Sequence, residues 1–292
     1  MNSIIAVLHP GDMGSAAGAC LAAKGERVIF AGEGRSEATR ARARAAGLED
    51  CGSLRACVEQ ADVVLSVCPP HGAVALARET AAAGFRGIYV DANAISPEHA
   101  RQIGAILTEG VAAANGGAGA PHAEYVDGGI IGPPPRGPAR ARLFLAGARA
   151  GRIAALFEGT PLQPVVLEGD IGAASALKAC YAAWTKGSMA LLAAIRVLAR
   201  AEGVEMALLE EWKRSQQDLP KRSETIVAHA HKAWRWIGEM EEIASSFTSA
   251  GLPGGFHVAS AEIYRMLEGF KDRREAPAMD EVLAALQAKK RR

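Results

Sequence analysis

The opening of the chain restricts its fold more than any other feature. Apolar residues from Ile4 to Leu8 run straight into His9-Pro10-Gly11-Asp12-Met13-Gly14, and the small residues Ser15-Ala16-Ala17-Gly18 follow without a break. A short buried strand, a tight glycine turn and a helix of small residues is the arrangement that lays a dinucleotide pyrophosphate on helix N–H groups. Gly11 lets the backbone approach the phosphates, and Gly14 lets helix and strand pack closely. His9 stands where the first glycine of a G-x-G-x-x-G turn usually lies. Gly11, Asp12, Met13 and Gly14 are therefore the expected cofactor-binding turn. The competing reading is a plain strand–helix turn, but a strand before and a helix after are the context that the fingerprint requires.

The alternation continues. Short apolar runs over 3–9, 27–31, 63–67, 87–91, 125–131 and 142–146 are separated by alanine-rich stretches of helical length over 13–24, 37–46, 72–83 and 97–107. Short β-rich runs alternating with helices indicate βαβ units and a parallel sheet. The small-residue stretch 110–120 reads as a loop. After about Gly169 the pattern changes: 171–201 reads as one long helix, and only helical patterns follow. The expected architecture is an α/β Rossmann-like N-terminal domain over 1–167, joined by a long helix to an all-α domain over 168–292. A chain of 292 residues has room for both.

Selectivity for the nucleotide is expected after the second strand. There Glu33 is suited to a ribose 2′-hydroxyl, and Arg35 with Ser36 is suited to a 2′-phosphate. The Arg-Ser pair favours NADP, with NAD still open; the plainer alternative makes Arg35 a solvated charge and Ser36 a helix N-cap. Cys68-Pro69 and Asn93 follow the third and fourth apolar runs, where ligands of open parallel sheets bind, and are expected to line the cofactor groove. Ser96 and Pro97 read as the N-cap and first residue of a helix.

On the long helix, Lys178, Tyr181 and Thr185 fall at i, i+3 and i+7, hence on one face. Their neighbours are mostly small or apolar. Desolvation lowers a lysine's pKa and suits it to exchange protons with a substrate oxygen. An isolated helical lysine is ordinarily a surface charge, so this assignment depends on its context.

That context is a resemblance. The PGDMG turn, the DANAISP segment over 91–97, the VDGGIIGPP segment over 126–134 and the GxxGAxxALK pattern over 169–178 occur in the order seen in 3-hydroxyacid dehydrogenases. The chain resembles that superfamily, which includes 3-hydroxyisobutyrate and 6-phosphogluconate dehydrogenases. RWIGEMEEIASSF over 235–247 and AGLPGGFHVASAEIY over 250–264 resemble the helical domain of unknown function DUF1932. The resemblance implies that Lys178 is the catalytic general acid and base, and that Gly11, Met13 and Gly14 hold the cofactor. Arg35-Ser36 would stand for the Arg-Thr pair of NADP-preferring members. It implies hydride transfer between nicotinamide and a CH–OH or C=O group of a small, 3-hydroxyacid-like substrate, in a cleft between the domains of a homodimer.

Departures fall on the substrate side. The carboxylate loop appears as Asp127-Gly128-Gly129-Ile130-Ile131-Gly132-Pro133, with Ile131 where a serine is usual; Gly129 and Gly132 still permit N–H contacts. Tyr181 and Ala182 stand where an asparagine is usual. A Lys-Asp pair of the second domain would fall near Met240-Glu241-Glu242. An imine reductase-like reaction on C=N and a non-catalytic NADP(H)-sensing role remain as alternatives.

With 33 basic against 32 acidic residues, the charge balance speaks against nucleic acid or an anionic membrane as the main partner. The five cysteines lack C-x-x-C spacing, so reduced thiols, no metal site and a cytoplasmic location are expected. His229 and His231 are poorly spaced as joint metal ligands. His257 either packs at a helix start or reaches a substrate. Trp234 and Trp236 read as packing anchors, and Arg136, Arg140 and Arg142 as solvated charges.

Overall fold

The computed structural model describes residues 3–109 and 123–288. The loop expected over 110–120 lies outside the described residues. Elements follow in the order β1 (Ile4–Leu8), α1 (Asp12–Ala22), β2 (Arg27–Phe30), α2 (Glu37–Ala45), β3 (Glu49–Asp50), α3 (Leu54–Gln60), β4 (Val63–Ser66), α4 (Ala73–Ala82), β5 (Ile88–Asp91) and α5 (Pro97–Glu109). Next come β6 (Glu124–Ile131), β7 (Ala141–Ala146), α6 (Ala150–Phe157), β8 (Leu162–Val166) and the long α7 (Ala173–Ala201). The remainder is helical: α8 (Glu205–Ser215), α9 (Leu219–Ser223), α10 (Thr225–His229), α11 (Trp236–Ser249), α12 (Gly255–Met266) and α13 (Met279–Gln287).

The strands form a single sheet in the order β3-β2-β1-β4-β5-β6-β7-β8. Its inner strands are apolar on both faces, as a sheet covered by helices on both sides demands. Ile5 and Val7 share one layer with Val28, Leu65 and Val90, while Ala6 and Leu8 share the other with Ile29, Val64 and Tyr89. This is the period-2 alternation of a strand, read twice over.

The sheet differs from the sequence expectation in three places. It is not wholly parallel, because β7 runs antiparallel to β6. The link over 132–140 is too short for the helical crossover of roughly a dozen residues that a parallel return requires. It turns at Gly132, whose φ of 123° suits glycine. Strands β3 and β8 carry no strand signal in the sequence; both lie at sheet edges, where β3 is two residues long and β8 tolerates Pro164. Helices α3 and α6 also go unread, being short.

The expectation of reduced cysteines is corrected as well. Cys51 and Cys57 form a disulfide, with Cα atoms 5.9 Å apart. Gly52, at φ 84°, turns the chain back after β3, and Ser53 caps α3 by accepting from the Ala56 N–H at 3.2 Å. The turn thus returns Cys57 to Cys51, which spacing alone does not reveal.

Contacts divide the chain into two compact units, 1–178 and 179–292, so the division falls inside α7 rather than ahead of it. Within the second unit the core gathers Ala182, Ala190 and Ala193 of α7 with Ile226, Met240, Ile243, Tyr264 and Val282. Trp236 stands edge-on to Tyr264 at 5.2 Å, and the Lys271 ammonium lies 4.4 Å from the Trp234 ring, so both indoles are packed as expected. By length and composition α7 would cross a bilayer. Its buried Arg196, paired with Glu205, and its alanines in this core make it the central helix of a folded unit instead.

Thiol titration in denaturant checks the disulfide. Three reactive thiols per chain, from Cys20, Cys68 and Cys180, are expected before reduction and the full set of five afterwards. Five thiols without reductant would refute the bridge.

Candidate functional site

At the first turn the chain reverses through His9, which sits at φ 61°. Left-handed backbone is uncommon outside glycine, although His, Asn and Asp adopt it more readily than other residues. The turn is closed by Gly11 N–H donating to the His9 carbonyl at 2.7 Å and by Ser15 Oγ donating to the Pro10 carbonyl at 2.6 Å. A Cβ on Gly14 would stand 2.8 Å from the His9 carbonyl and 3.4 Å from Val7. Glycine is therefore required there by close approach. Helix α1 begins at the N-cap Gly11 with no side-chain capping bond, which leaves its first-turn N–H groups to an anion. Met13 packs against the sheet's core. Asp12 is engaged with Arg136, whose guanidinium meets its carboxylate at 2.6 Å and its carbonyl at 2.9 Å. Arg136 is thus no merely solvated charge, a correction to the sequence reading.

The loop after β2 hangs on the segment after β3. Asp50 Oδ1 accepts from Gly32 N–H at 3.0 Å and Gly52 N–H at 2.9 Å, and Glu33 N–H donates to the Gly52 carbonyl at 2.9 Å. Ser36 is the N-cap of α2, accepting from Thr39 N–H at 3.3 Å. Its plainer reading therefore accounts for its position. Arg35 Nε and His9 Nδ1 are both buried without a hydrogen-bond partner. Burial, reinforced by the Arg35 charge, pushes the His9 pKa down to about 4. These two groups reach the same turn.

Where β4 and β5 end, Asn93 binds them together. It is buried; its Oδ1 accepts from Cys68 N–H, and its Nδ2 donates to Ser66 Oγ and Asp91 Oδ2, both at 2.9 Å. With its amide so engaged, Asn93 ties the two strand ends together. Pro69 precedes a 3-10 turn over Pro70–Gly72. Burial raises the Cys68 thiol to about 12, so it is an inert wall, not a nucleophile. Asp91 is fully buried, and burial lifts its carboxyl to about 7 against the hydrogen bonds from Asn93.

Strand β6 carries the remaining elements. The buried Asp127 carboxylate accepts from the N–H groups of Gly172 at 2.9 Å, Ala174 at 2.8 Å and Ser175 at 3.2 Å, and from Ser175 Oγ at 2.6 Å. It thereby caps the start of α7. Gly129 lies under that helix: a Cβ there would come 2.8 Å from the Ala174 carbonyl and 3.2 Å from Lys178 Cβ. Lys178 is half-buried, and its charge acts on Asp91. Ile131 packs with Phe144 and Ala174, while Gly132 provides the turn. Gly129 and Lys178 are thus brought together.

The other candidates belong to the helical unit. Tyr181 is exposed, and Thr185 Oγ1 donates to the Tyr181 carbonyl at 3.1 Å. His257 is buried with its ring 4.5 Å from that of Phe247 and its Nδ1 unpartnered. Sequence reasoning missed the pair of Lys186 and Glu239; the two lie on separate helices 53 residues apart, so no local pattern marks them as partners. It also missed Asp91, whose place at the end of a buried strand was the available signal.

Comparison with known proteins places this arrangement. Residues 4–94 match the family model "NADP oxidoreductase coenzyme F420-dependent", and residues 199–267 match "Domain of unknown function (DUF1932)". A conserved protein of unknown function, described as structurally similar to 3-hydroxyacid dehydrogenases, is 25% identical, with a TM-score of 0.66 over 91% of this chain and 97% of its own. By fold, the chain is similar to 3-hydroxyacid dehydrogenases. It carries the DUF1932 segment in its helical unit. Mycobacterium tuberculosis 3-hydroxyisobutyrate dehydrogenase with L-serine aligns at 19% identity and TM-score 0.69, over 99% of this chain and 100% of that one. Aspergillus terreus reductive aminase with NADPH4, cyclohexanone and allyl amine aligns at 15% and 0.56, over 97% and 99%. In sequence, an uncharacterized 28.5 kDa protein of Methanothermus fervidus is 26% identical over 220 residues, 73% of this chain and 80% of that relative.

Two measurements test the geometry. Folding lowers the His9 pKa from 6.5 to about 4, so between those values the unfolded chain binds more protons. His9 therefore adds stability above about pH 6.5 that is lost as pH falls toward 4. His9→Asn should flatten the fall of the urea midpoint across that window; parallel curves for both proteins would refute it. Asp127→Asn should lower unfolding free energy by about 2 kcal/mol, the scale of hydrogen bonds to a charged group. An unchanged midpoint would show that the cap is dispensable.

Proposed function

We propose that the protein is an NADP(H)-dependent oxidoreductase acting on a CH–OH or C=O group of a small substrate, with Lys178 as general acid and base. The observation that carries the reading is the first turn. His9 is held left-handed, Gly14 is locked against its carbonyl, the N-terminus of α1 has no side-chain cap, and the buried Arg35 Nε and His9 Nδ1 have no partner. These donors fit a dinucleotide phosphate. The α1 N–H groups would hold the pyrophosphate, and Arg35, with Ser36 beside it, would hold a 2′-phosphate. Cys68-Pro69 would wall the groove, and Asn93 would hold that wall in place. The bound nucleotide would supply the hydride chemistry.

Within the protein, the tasks are orientation and proton transfer. Asp127 fixes the first turn of α7, and Gly129 lets β6 pass directly beneath Lys178. Lys178 Nζ would give a proton to the substrate oxygen in reduction and take one in oxidation. Asp91 keeps a carboxyl close enough for the two charges to interact. Gly132, Ile131, Tyr181, Thr185 and His257 are the candidate substrate contacts, with Ile131 contributing an apolar surface and no hydroxyl.

The functional unit we propose is a homodimer. Trp184, Leu191 and Leu198 lie seven residues apart on α7 and are 64%, 57% and 62% exposed, and Phe256 is exposed on α12. Such an apolar seam is suited to a second copy.

Fluorescence titration with NADPH and NADH, repeated with Arg35→Ala, tests the cofactor. NADPH affinity should fall at least about tenfold in the variant, the scale of losing a charge-assisted phosphate contact, with little change for NADH. Equal binding of both nucleotides by both proteins would refute the clamp. Once a substrate is found, Lys178→Ala should cut turnover by roughly 10²–10⁴ while nucleotide affinity persists, the range for removing a general acid or base.

A further inference from the structure

The helical unit holds a second set of groups, of which this reading uses only Thr185. Thr185, Ser188, Met189 and Leu192 of α7, with Arg222 and His229, line a pocket of about 210 Å³. Arg222 is half-buried at its edge. Its guanidinium carbon lies 5.1 Å from the centre of the Trp184 ring, and Nη2 reaches Ser188 Oγ at 3.5 Å. Neither contact neutralises its charge. Ser188 receives that weak bond as acceptor, so its own proton remains to be given. His229 packs edge-on to Trp236 at 5.6 Å, and its Nδ1 is buried without a partner. By contrast, the hydroxyl protons of Thr185 and Thr225 are already donated to the carbonyls of Tyr181 and Arg222. The donors left over are one guanidinium and one hydroxyl, beside the side chains of Met189 and Leu192.

We propose that this pocket binds a small monocarboxylate, with Arg222 gripping the carboxylate oxygens, Ser188 adding its hydroxyl, and Met189 and Leu192 bordering a short aliphatic body. A planar guanidinium matches a carboxylate in geometry and charge, and stacking on an indole holds its plane still. The charge count selects a monoanion. Burial and the neighbouring Lys232 hold His229 below its ordinary pKa, so it adds no second cation at neutral pH. A phosphate dianion would lack that second charge. The site lies within the helical unit and does not rest on the nucleotide reading.

Calorimetric titration of the full-length protein with sodium butyrate, without nucleotide, tests the proposal, with n-butanol and inorganic phosphate as controls. Butyrate should bind saturably and n-butanol should not. Arg222→Gln should weaken butyrate at least about tenfold, as removal of a charge-assisted bidentate contact does. Arg222→Lys keeps the charge but loses the fork and should fall between, which keeps the test decisive if the glutamine variant fails to fold. Ser188→Ala should weaken binding about threefold or more, the scale of one hydrogen bond. Absence of saturable butyrate binding, unchanged affinity in the Arg222 variants, or phosphate binding as tightly as butyrate would overturn the assignment. NADPH titration of the same samples separates this result from the fate of the cofactor site.

Discussion

The α/β unit depends on one buried carboxylate. Asp127 has no exposed surface, and an unpaired charge in such a place is costly. Burial raises its pKa, and four hydrogen bonds oppose that rise: three from amides that open α7 and one from Ser175. The same bonds satisfy N–H groups that a helix start leaves without partners. The two debts cancel each other. Because strand and helix are thereby joined at one point, the helix must cross β6 where a side chain would collide, and that position is Gly129. Lys178 follows on the second turn of the helix whose start this carboxylate holds.

A second constraint acts along the same edge of the sheet, three strands away. A left-handed residue directly after a buried strand is ordinarily glycine, yet here it is His9. Its carbonyl is held by the Gly11 amide and pressed by Gly14, so the turn is fixed by neighbours and not by the residue's own preference. Placing an imidazole there brings a titratable ring to the turn. Burial keeps it neutral through ordinary pH, which leaves Arg35 as the cation on which phosphate selectivity would rest.

Periodicity made the inner sheet legible. Ile4–Leu8, Val63–Leu65 and Ile88–Val90 are apolar throughout, and the ends of these strands were readable to within a residue. What escaped was whatever depends on a partner distant in sequence. Edge strand β3 exists because β2 offers it hydrogen bonds, and β7 reverses because its link is short. The Cys51–Cys57 bridge depends on a turn, the Arg136–Asp12 pair on the β6–β7 link, and the Lys186–Glu239 pair on two separate helices. At the candidate site the residue types were legible but their engagements were not. Ser36 spends its oxygen on a cap, and Asn93 spends its amide on two strand ends. Chemistry-bearing residues can be nominated from spacing; whether their atoms remain available is decided by tertiary structure.

Helix α7 inverts the usual amphipathic order, and this bears on how the helical unit is specified. The residues it buries there are mainly alanines, Ala182, Ala190 and Ala193, whereas Trp184, Leu191 and Leu198 point outward. Alanine contributes little transfer energy, about 0.8 kcal/mol for a methyl-sized group, so hydrophobicity alone would turn the helix the other way. Buried polar contacts oppose that rotation. Arg196 meets Glu205 at 2.6 Å and Ser223 at 3.0 Å, Lys186 pairs with Glu239, and Tyr264 donates to the Lys186 carbonyl at 2.7 Å. Such pairs add little net stability over apolar substitutes, but a rotation that separated their members would leave buried charges alone, at a cost of about 3–5 kcal/mol each. They therefore specify which face turns inward. The small alanine face permits close packing with α11 and α12, and the large apolar residues are left exposed on the opposite side.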